Sequence, residues 1–366
     1  MNKLTFKSNL LQQTDRYSKE LSLPDFLYDE KGNFDRESTI QLLLSEEYGF
    51  VDATDVKLDV SVLKVREEGP YSGVYAGFCK KHIKYQFTLS KNGREASFPV
   101  DLFLPDTDDA DRPLVVDLDF DLNVERCYCP IQEIMEQNVA VARVLYTDVT
   151  SDNNDFETGV APLLTDRTNP HAAGKLAIWA YVAALIGGYM LEEKHVKPGK
   201  LFVAGHSRMG KTALLAAALY PDLFAGVHSN NSGCSGVAIS REKHGETIAI
   251  ICNLFPYWFA PKYQEYANRE NEAPFDQHYL TALIAPRKLC VATAERDEWA
   301  DTEAQYLSLE AASVIYEKMG TVGLVNPQLM KTGMSSDQGQ IALIMRSGPH
   351  YFSRHDWNFF LNFIKK

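Results

Sequence analysis

Residues 199–212 of this chain read Gly-Lys-Leu-Phe-Val-Ala-Gly-His-Ser-Arg-Met-Gly-Lys-Thr. The apolar run at 201–204 predicts a buried strand, and the Ala- and Leu-rich run at 211–220 predicts a helix. Between them lies a tight, glycine-containing turn with Ser207 at its tip. A serine hydroxyl is a weak nucleophile that needs exposure and a neighbouring base, and a strand–turn–helix arrangement presents it in this way. The pattern predicts a nucleophilic serine, although Met209 stands where such turns usually carry their second glycine.

The elements predicted around this turn alternate between strands and helices. Further strands are predicted at 113–120, 139–146, 225–229, 288–294 and 340–346. Further helices are predicted at 130–137, 174–193, 302–318 and 356–365. This alternation predicts an α/β-hydrolase fold, in which a doubly wound, mainly parallel sheet forms the middle of a three-layer αβα sandwich. Such a sheet carries its active site at the carboxyl ends of its strands.

The first third of the chain has a different pattern of predicted elements. Three runs of alternating apolar and polar residues follow one another at 57–65, 84–89 and 96–104. Closely spaced strands of this kind predict an antiparallel N-terminal edge to the sheet. Residues 1–55 are expected to wrap on the main domain, and residues 56–366 are expected to form the catalytic domain.

Composition argues against several classes of partner. The net charge of −12 argues against nucleic acid or an anionic membrane as the main partner. No run of about 18 apolar residues is present, so no membrane span is expected. The six scattered cysteines favour reduced thiols, and Cys127 and Cys129 have the wrong spacing for a zinc knuckle, so neither a metal nor a cofactor is expected. Without an apolar leader the chain is predicted to be cytoplasmic, or secreted if a leader has been removed, and a monomer is the default expectation.

A serine hydrolase also needs a base and an acid, and in α/β-hydrolases the acid and then the histidine follow the serine. His350 lies between the last predicted strand and the last predicted helix, where the base is expected. The acid is expected in the loop after the preceding strand, where Glu295, Asp297, Glu298 and Asp301 compete. Its role is to fix the tautomer of the imidazole and to stabilise the imidazolium that forms.

The oxyanion that forms during ester cleavage needs hydrogen-bond donors aimed at it. The backbone N–H of Arg208, directly after the serine, is the expected donor. The start of the helix adds a partial positive charge, and the Arg208 side chain is able to add a full one. Lys211 lies one helical turn after Ser207, and it is either a ligand for substrate hydroxyls or an anionic product, or a solvated helix lysine.

The turn and several later blocks resemble one family. Gly-His-Ser-Arg-Met-Gly-Lys at 205–211 resembles the Gly-x-Ser-Arg-x-Gly-Lys signature of the glucuronoyl esterases, carbohydrate esterase family 15, in their bacterial form. Further matching blocks follow in the same order: Ser-Asn-Asn-Ser-Gly-Cys-Ser-Gly at 229–236, Phe-Pro-Tyr-Trp-Phe at 255–259, Pro-Phe-Asp-Gln-His at 274–278, Leu-Ile-Ala-Pro-Arg at 283–287, Asp-Glu-Trp-Ala-Asp at 297–301, Gly-Pro-His at 348–350 and Asp-Trp at 356–357.

The resemblance implies cleavage of an ester between the carboxyl group of glucuronic or 4-O-methylglucuronic acid and an alcohol, as in lignin–xylan cross-links. It implies Ser207 as the nucleophile, His350 as the base and Arg208 in the oxyanion hole. For binding the uronic acid sugar it implies Lys211, Trp299 and Glu246.

Two positions depart from the family pattern. Many members carry the triad acid as glutamate in a Glu-Ser-Gly block, and here that block begins with Asn231. An amide carries no charge, so the acid is expected from the later loop; Asp297 matches the position that some bacterial members use, with Asp301 and Glu298 as alternatives. Tyr257 stands where a histidine is common.

Two other functions stay open at this point. The first is an esterase for a different acyl group, such as acetyl groups on xylan. The second is a non-catalytic, carbohydrate-binding relative that has kept the fold, for which the missing carboxylate at Asn231 is the argument. The presence of Ser207 and His350 argues for an enzyme.

Overall fold

The computed structural model describes residues 3–6, 10–67, 79–107, 111–120, 129–325 and 331–366. Its strands are β1 Lys3–Phe6, β2 Leu21–Pro24, β3 Lys57–Glu67, β4 Cys79–Lys91, β5 Arg94–Pro105, β6 Leu114–Asp119, β7 Ala140–Leu145, β8 Leu201–His206, β9 Gly226–Asn230, β10 Lys288–Ala294, β11 Ser335–Ser336 and β12 Ile341–Arg346. Its α-helices are α1 Arg36–Leu43, α2 Ile131–Glu136, α3 Tyr146–Val149, α4 Ala161–Leu164, α5 Lys175–Glu192, α6 Arg208–Leu219, α7 Ile248–Leu254, α8 His278–Ala282, α9 Thr302–Lys318 and α10 Arg354–Ile364.

Ten of these strands form one sheet in the order β11-β12-β10-β9-β8-β6-β7-β5-β4-β3. The strands from β7 to β12 in this order are parallel, whereas β3, β4 and β5 pair in antiparallel fashion and β5 joins β7 antiparallel. Strand β8 lies in the middle of the sheet, so the turn after it opens at the centre of the carboxyl edge. The predicted mainly parallel sheet with an antiparallel N-terminal edge is confirmed.

The central strands are buried on both faces. Every residue of β6 and β8 is buried, which is why these strands are mostly apolar rather than alternating, apart from Asp117, Asp119 and His206. Alternate side chains of the strands enter two apolar cores, one formed with α5, α6 and α9 and the other with α2 and α10. Two helical layers on a central sheet are the predicted three-layer sandwich.

Helix α5 is the one described helix that is long and apolar enough to cross a membrane by length and composition. In the folded protein, 67% of these 18 residues are buried. Its apolar side chains pack in the core beside α6, which accounts for the composition of the helix.

Residues of the N-terminal lead-in segment, 10–55, contact residues in the last third of the chain. The Arg36 guanidinium donates hydrogen bonds to the carbonyl oxygens of Leu283 and Ala285, and the Tyr17 hydroxyl donates to Asp301 at 2.6 Å. The Tyr17 contact places the lead-in against the loop that is expected to hold the triad acid. The five cysteines in the described residues are free thiols, and Cys127 lies outside the described residues.

A buried carboxyl group in the lead-in gives a pH-dependent prediction. Glu47 is fully buried, and both its carboxylate oxygens accept hydrogen bonds from the Gln277 amide, at 3.1 and 2.8 Å. Burial raises the pKa of Glu47 to about 7, and the hydrogen bonds from Gln277 offset only part of this effect. The folded state therefore binds more protons than the unfolded state between the ordinary carboxyl pKa and about 7.

We expect the stability that Glu47 contributes to be full below the ordinary carboxyl pKa and to be lost as the pH rises through about 7. Glu47→Gln removes the titrating group, so the difference in melting temperature between variant and wild type should shift in favour of the variant from pH 5 to pH 8. Thermal unfolding of both proteins at the two pH values measures this shift. A difference that is the same at both pH values would contradict the prediction.

Candidate active site

Ser207 sits on a strained turn between β8 and α6. Its φ and ψ are 55° and −124°, and its N–H donates to the carbonyl oxygen of Asn230 at 2.8 Å. A Cβ atom on Gly205 would lie 2.2 Å from the carbonyl oxygen of Met209, and one on Gly210 would lie 2.9 Å from that of Asn230. The crowded positions are therefore 205 and 210, which explains why the turn accommodates methionine at 209. The helix begins at Arg208, three residues earlier than predicted.

The base and one carboxylate meet beside this turn. His350 Nδ1 lies 2.7 Å from Asp297 Oδ2, and the Asn231 amide donates to the same oxygen at 2.5 Å. The other oxygen, Oδ1, accepts the backbone N–H of Ala300 at 3.2 Å. Asp297 thus holds His350 while Asn231, the residue in place of the expected glutamate, holds Asp297.

The other carboxylates of this loop have different positions. Asp301 is buried and caps α9: its side chain accepts the N–H of Ala304, and it also accepts hydrogen bonds from Tyr17 and from the N–H of His244. Glu295 and Glu298 are exposed. Of the four candidates, Asp297 is the one that the structure brings to His350.

The surroundings of Asp297 keep it ionised. Burial raises the pKa of Asp297, but the hydrogen bond and charge of His350 and the hydrogen bond from Asn231 together lower it further, so the pKa lies below its ordinary value. An ionised carboxylate only accepts hydrogen bonds, so His350 presents its Nδ1–H to Asp297. Its Nε2 is then the nitrogen available as a base.

A second histidine lies against the base. The ring centroids of His206 and His350 are 4.4 Å apart, and His206 Nδ1 lies 2.5 Å from Asn230 Oδ1. Burial, together with the neighbouring His350, lowers the pKa of His206 well below its ordinary value. His206 is therefore a neutral packing partner that adds no positive charge beside His350.

The loop that carries His350 is built around a buried arginine that the sequence analysis did not single out. Arg346, at the end of β12, pairs with Asp356 at 2.9 Å. Its guanidinium also donates to three backbone carbonyl oxygens of the loop 347–351. Asp356 in turn forms a capping box at the start of α10. The ion pair thus fixes both ends of the loop that holds His350.

The Arg208 side chain is held in one place beside Ser207. Its Nη1 pairs with Asp152 Oδ2, and its guanidinium carbon lies 4.7 Å from the ring centroid of Trp258 and 5.3 Å from that of Phe255. The role of Asp152 was missed, because this residue is 56 positions away in the chain.

Lys211 and Glu246 form a buried pair. Lys211 Nζ donates to the carbonyl oxygens of Ser232 and Cys234, both at 2.6 Å, and lies 3.3 Å from Glu246 Oε2. An ammonium group has three N–H donors, so all three are engaged. The alternative of a solvated helix lysine is wrong, because Lys211 is 3% exposed.

Trp299 is hydrogen-bonded, through its backbone, to Glu246 of this pair. Its carbonyl oxygen accepts the N–H of Glu246 at 3.0 Å, and its side chain is 46% exposed. An exposed indole beside a buried ion pair offers a flat apolar surface next to polar groups. The predicted sugar-binding residues Lys211, Trp299 and Glu246 are therefore neighbours.

These residues line one cavity of about 230 Å³. Its lining consists of Ser207, Arg208, Lys211, Asn231, Ser232, Gly233, Glu246, Leu254, Phe255, Trp258, Trp299, Ala300 and His350. Larger cavities of about 490 and 910 Å³ lie elsewhere and contain neither Ser207 nor His350. We take the smaller cavity as the candidate active site because it contains the nucleophile and the base.

One group of side chains has a composition able to hold a metal. The ligand atoms of Asp117, Asp119 and Cys129 lie within 4.8 Å of one another. The Arg143 guanidinium pairs with Asp119 and lies 3.9 Å from Asp117, so this cation already offsets their negative charge. The expectation of no metal stays a prediction.

Comparison with known proteins identifies the family. A family model described as "Glucuronyl esterase, fungi" matches residues 87–320, more than half of the chain. A curated relative, carbohydrate esterase MZ0003 from an unknown prokaryotic organism, is 33% identical over 240 residues, which are 64% of this chain and 54% of the relative. The 4-O-methyl-glucuronoyl methylesterase of Podospora anserina is 31% identical over 161 residues, covering 42% of this chain and 34% of the relative.

A solved structure, the glucuronoyl esterase from Solibacter usitatus, superposes with a TM-score of 0.82 at 26% identity and covers 94% of this chain and 97% of that one. The chain spans about half the length of the first of these curated relatives and a third of the second. The predicted α/β-hydrolase fold and the predicted resemblance are both confirmed. This chain belongs to the glucuronyl esterase family.

Proposed function

We propose that this chain is a serine esterase that hydrolyses esters of glucuronic or 4-O-methylglucuronic acid, such as those in lignin–xylan cross-links. The observation that carries the proposal is that His350, paired with Asp297 at 2.7 Å, lines the same cavity as Ser207. Lys211, Glu246 and Trp299 line that cavity too. The buried Lys211–Glu246 pair places charge beside the sugar, and the Trp299 ring offers a flat apolar face. Relatives named 4-O-methyl-glucuronoyl methylesterase support the choice of acyl group.

The reaction would begin with attack of the Ser207 hydroxyl oxygen on the carboxyl carbon of the ester. His350 Nε2 would take the hydroxyl proton, while Asp297 stabilises the imidazolium through Nδ1–H. The N–H of Arg208 at the start of α6, and its guanidinium, would stabilise the negative oxygen of the tetrahedral intermediate. His350 would then protonate the leaving alcohol, which leaves an acyl-enzyme on Ser207.

In the second half of the cycle, a water molecule would attack the acyl-enzyme. His350 would remove a proton from this water and return it to Ser207 when the acid product leaves. His350 thus accepts and returns a proton in each half of the cycle, and this chemistry requires no cofactor. The predictions of a cytoplasmic monomer without a nucleic-acid or membrane partner stay predictions.

The test compares a benzyl ester of glucuronic acid with an aryl acetate on the purified chain. We expect a higher kcat/KM on the glucuronate ester, and a loss of at least about 10³-fold in Ser207→Ala. Activity on the acetate alone would keep the serine chemistry and reject the uronate substrate, in favour of an acetyl esterase. If neither ester is cleaved while a glucuronoxylan fragment binds, the chain is a carbohydrate-binding relative and the proposal fails.

A further inference from the structure

One carboxylate, Asp152, determines where the Arg208 side chain can be. Asp152 Oδ2 pairs with Arg208 Nη1, and the side chains are 13% and 24% exposed. Arg208 follows the nucleophile directly, so its backbone position is set by the turn, but a long side chain has many rotamers. The ion pair with Asp152 selects one of them.

Asp152 is itself held from three directions. Its Oδ2 also accepts the hydroxyl of Tyr146 at 2.9 Å, and its Oδ1 accepts the indole N–H of Trp258 at 2.8 Å. Its carbonyl oxygen accepts the hydroxyl of Tyr257 at 2.9 Å. Neither the carboxylate nor its backbone is free to rotate without breaking these bonds. Tyr257, which replaces the histidine common in the family, thus belongs to this arrangement.

The loop around Asp152 is anchored by a buried cation. Lys175 Nζ donates to Thr150 Oγ1 at 2.6 Å and to the carbonyl oxygen of Asp155 at 2.5 Å. These two acceptors lie on either side of Asp152 in the chain, and Lys175 is fully buried. Lys175 therefore fixes the backbone on both sides of Asp152, as a site with demanding geometry requires.

The guanidinium keeps several donors for a substrate, because Asp152 pairs with only one of its three nitrogen atoms. Its Nη1 is taken by Asp152, whereas Nε is buried and has no hydrogen-bond partner among the residues that the structure describes. Because Nε is shielded, the N–H groups that a bound ester is able to reach are those of Nη1 and Nη2 that Asp152 does not use. Arg208 lines the same cavity as Ser207, where the ester carbonyl would lie.

We propose that Asp152 is a positioning residue that acts through Arg208, holding the guanidinium in the cavity so that its remaining N–H groups stay beside the oxygen that becomes negative at the ester carbonyl. The inference rests on the proposed esterase function. Because the oxygen gains its charge only as Ser207 attacks, a correctly placed donor stabilises the transition state more than the bound substrate. Loss of Asp152 should therefore lower kcat and leave KM nearly unchanged.

The test is Asp152→Asn in the full chain, assayed on benzyl glucuronate. We expect a loss of about 10²-fold in kcat, the size that a small misplacement of a catalytic group produces. Glu157→Gln is the matched control, because Glu157 is an exposed carboxylate of the same loop whose side chain has no partner in the described part of the chain; its kcat should stay at the wild-type value. An unchanged kcat in Asp152→Asn would overturn the proposal.

A double-mutant cycle separates positioning from a purely structural role. In an Arg208→Ala background, Asp152→Asn should cause almost no further loss of kcat, since the group through which it acts is gone. The same loss in both backgrounds would overturn the proposal. Tyr146→Phe, which removes one hydrogen bond to Asp152, should show a smaller loss of kcat and serves if Asp152→Asn does not fold.

The assay also distinguishes this inference from the substrate assignment. If the wild type cleaves only the aryl acetate, the uronate assignment fails, yet the same cycle measured on the acetate still tests Asp152. If the wild type cleaves the glucuronate ester and the cycle shows no coupling between Asp152 and Arg208, only the positioning role fails.

Discussion

Asp297→Asn is expected to lower kcat on a glucuronate ester by about 10⁴-fold, the loss found when a triad aspartate becomes an amide. Asp297 Oδ2 accepts from His350 Nδ1 at 2.7 Å and is ionised, so it selects the tautomer with the proton on Nδ1. An asparagine amide that places its N–H₂ there would select the opposite tautomer. Nε2 would then carry a proton and could not take one from Ser207.

Steady-state kinetics with Asp297→Asn and two neighbouring variants measure this effect. Glu298→Gln changes an exposed carboxylate of the same loop and should leave kcat unchanged. Asp301→Asn leaves one acceptor oxygen where Asp301 uses two, one for the N–H of Ala304 and the other for Tyr17 and His244. It should lower the melting temperature, while the folded fraction keeps its kcat. A loss of kcat in Asp301→Asn as large as that in Asp297→Asn would mean that the triad acid has been misassigned.

Asn231 allows a stricter form of this test. Its amide contacts the oxygen of Asp297 that holds His350, so a carboxylate on a slightly longer side chain at 231 comes close to the same imidazole. When Asn231→Glu is added to Asp297→Asn, we expect the double variant to recover at least about tenfold of the lost kcat. A carboxylate that follows either β9 or β10 restores the tautomer of His350. No recovery would mean that a side chain at 231 does not reach His350.

The elements that local patterns specify were predicted well. Strands β8 and β10 and helix α9 follow from apolar runs and periodicity within a few residues, and β10 and α9 have the predicted bounds. Ser207 was identified because the strand, the turn and the helix are adjacent in the chain. His350 was identified because the order of elements places it after the last strand.

The choice among the carboxylates could not be made from the sequence. Asp297 and Asp301 are four residues apart in one acidic loop, and both are buried in the structure. What separates them is the left-handed backbone of Asp301, with φ 55°, which turns its side chain toward α9 and the lead-in segment. The side-chain partner that distinguishes each carboxylate is distant in the chain: His350 lies 53 positions from Asp297, and Tyr17 lies 284 positions from Asp301. No local pattern encodes such contacts.

The residues that hold the catalytic side chains in place were missed for the same reason. Arg346 is the last residue of a strand, and Asp152 lies in a polar loop, so each resembles an ordinary surface residue in the sequence. In the structure Arg346 is 7% exposed and organises the loop of His350, and Asp152 fixes Arg208. Charged residues this far buried are rare unless they are paired, and the pairing is visible only in three dimensions.

Arg208→Met is the second variant for which we expect a large effect, a loss of about 10²–10³-fold in kcat, or about 3–4 kcal/mol of transition-state stabilisation. Methionine keeps an unbranched apolar side chain among the rings of Phe120, Phe255 and Trp258, but it has no donor for the negative oxygen. The backbone N–H at position 208 remains in the variant, so a residual rate should persist.

The division of the loss between kcat and KM tests what Arg208 does. If the guanidinium binds the oxygen that becomes negative, kcat falls while KM changes little, because the interaction strengthens only in the transition state. If it holds the sugar in the bound ester, KM rises and kcat stays, which would contradict the oxyanion role. Arg208→Lys keeps the charge but not the planar fork that spans Asp152 and the cavity, so we expect its kcat to lie nearer to that of Arg208→Met than to the wild type.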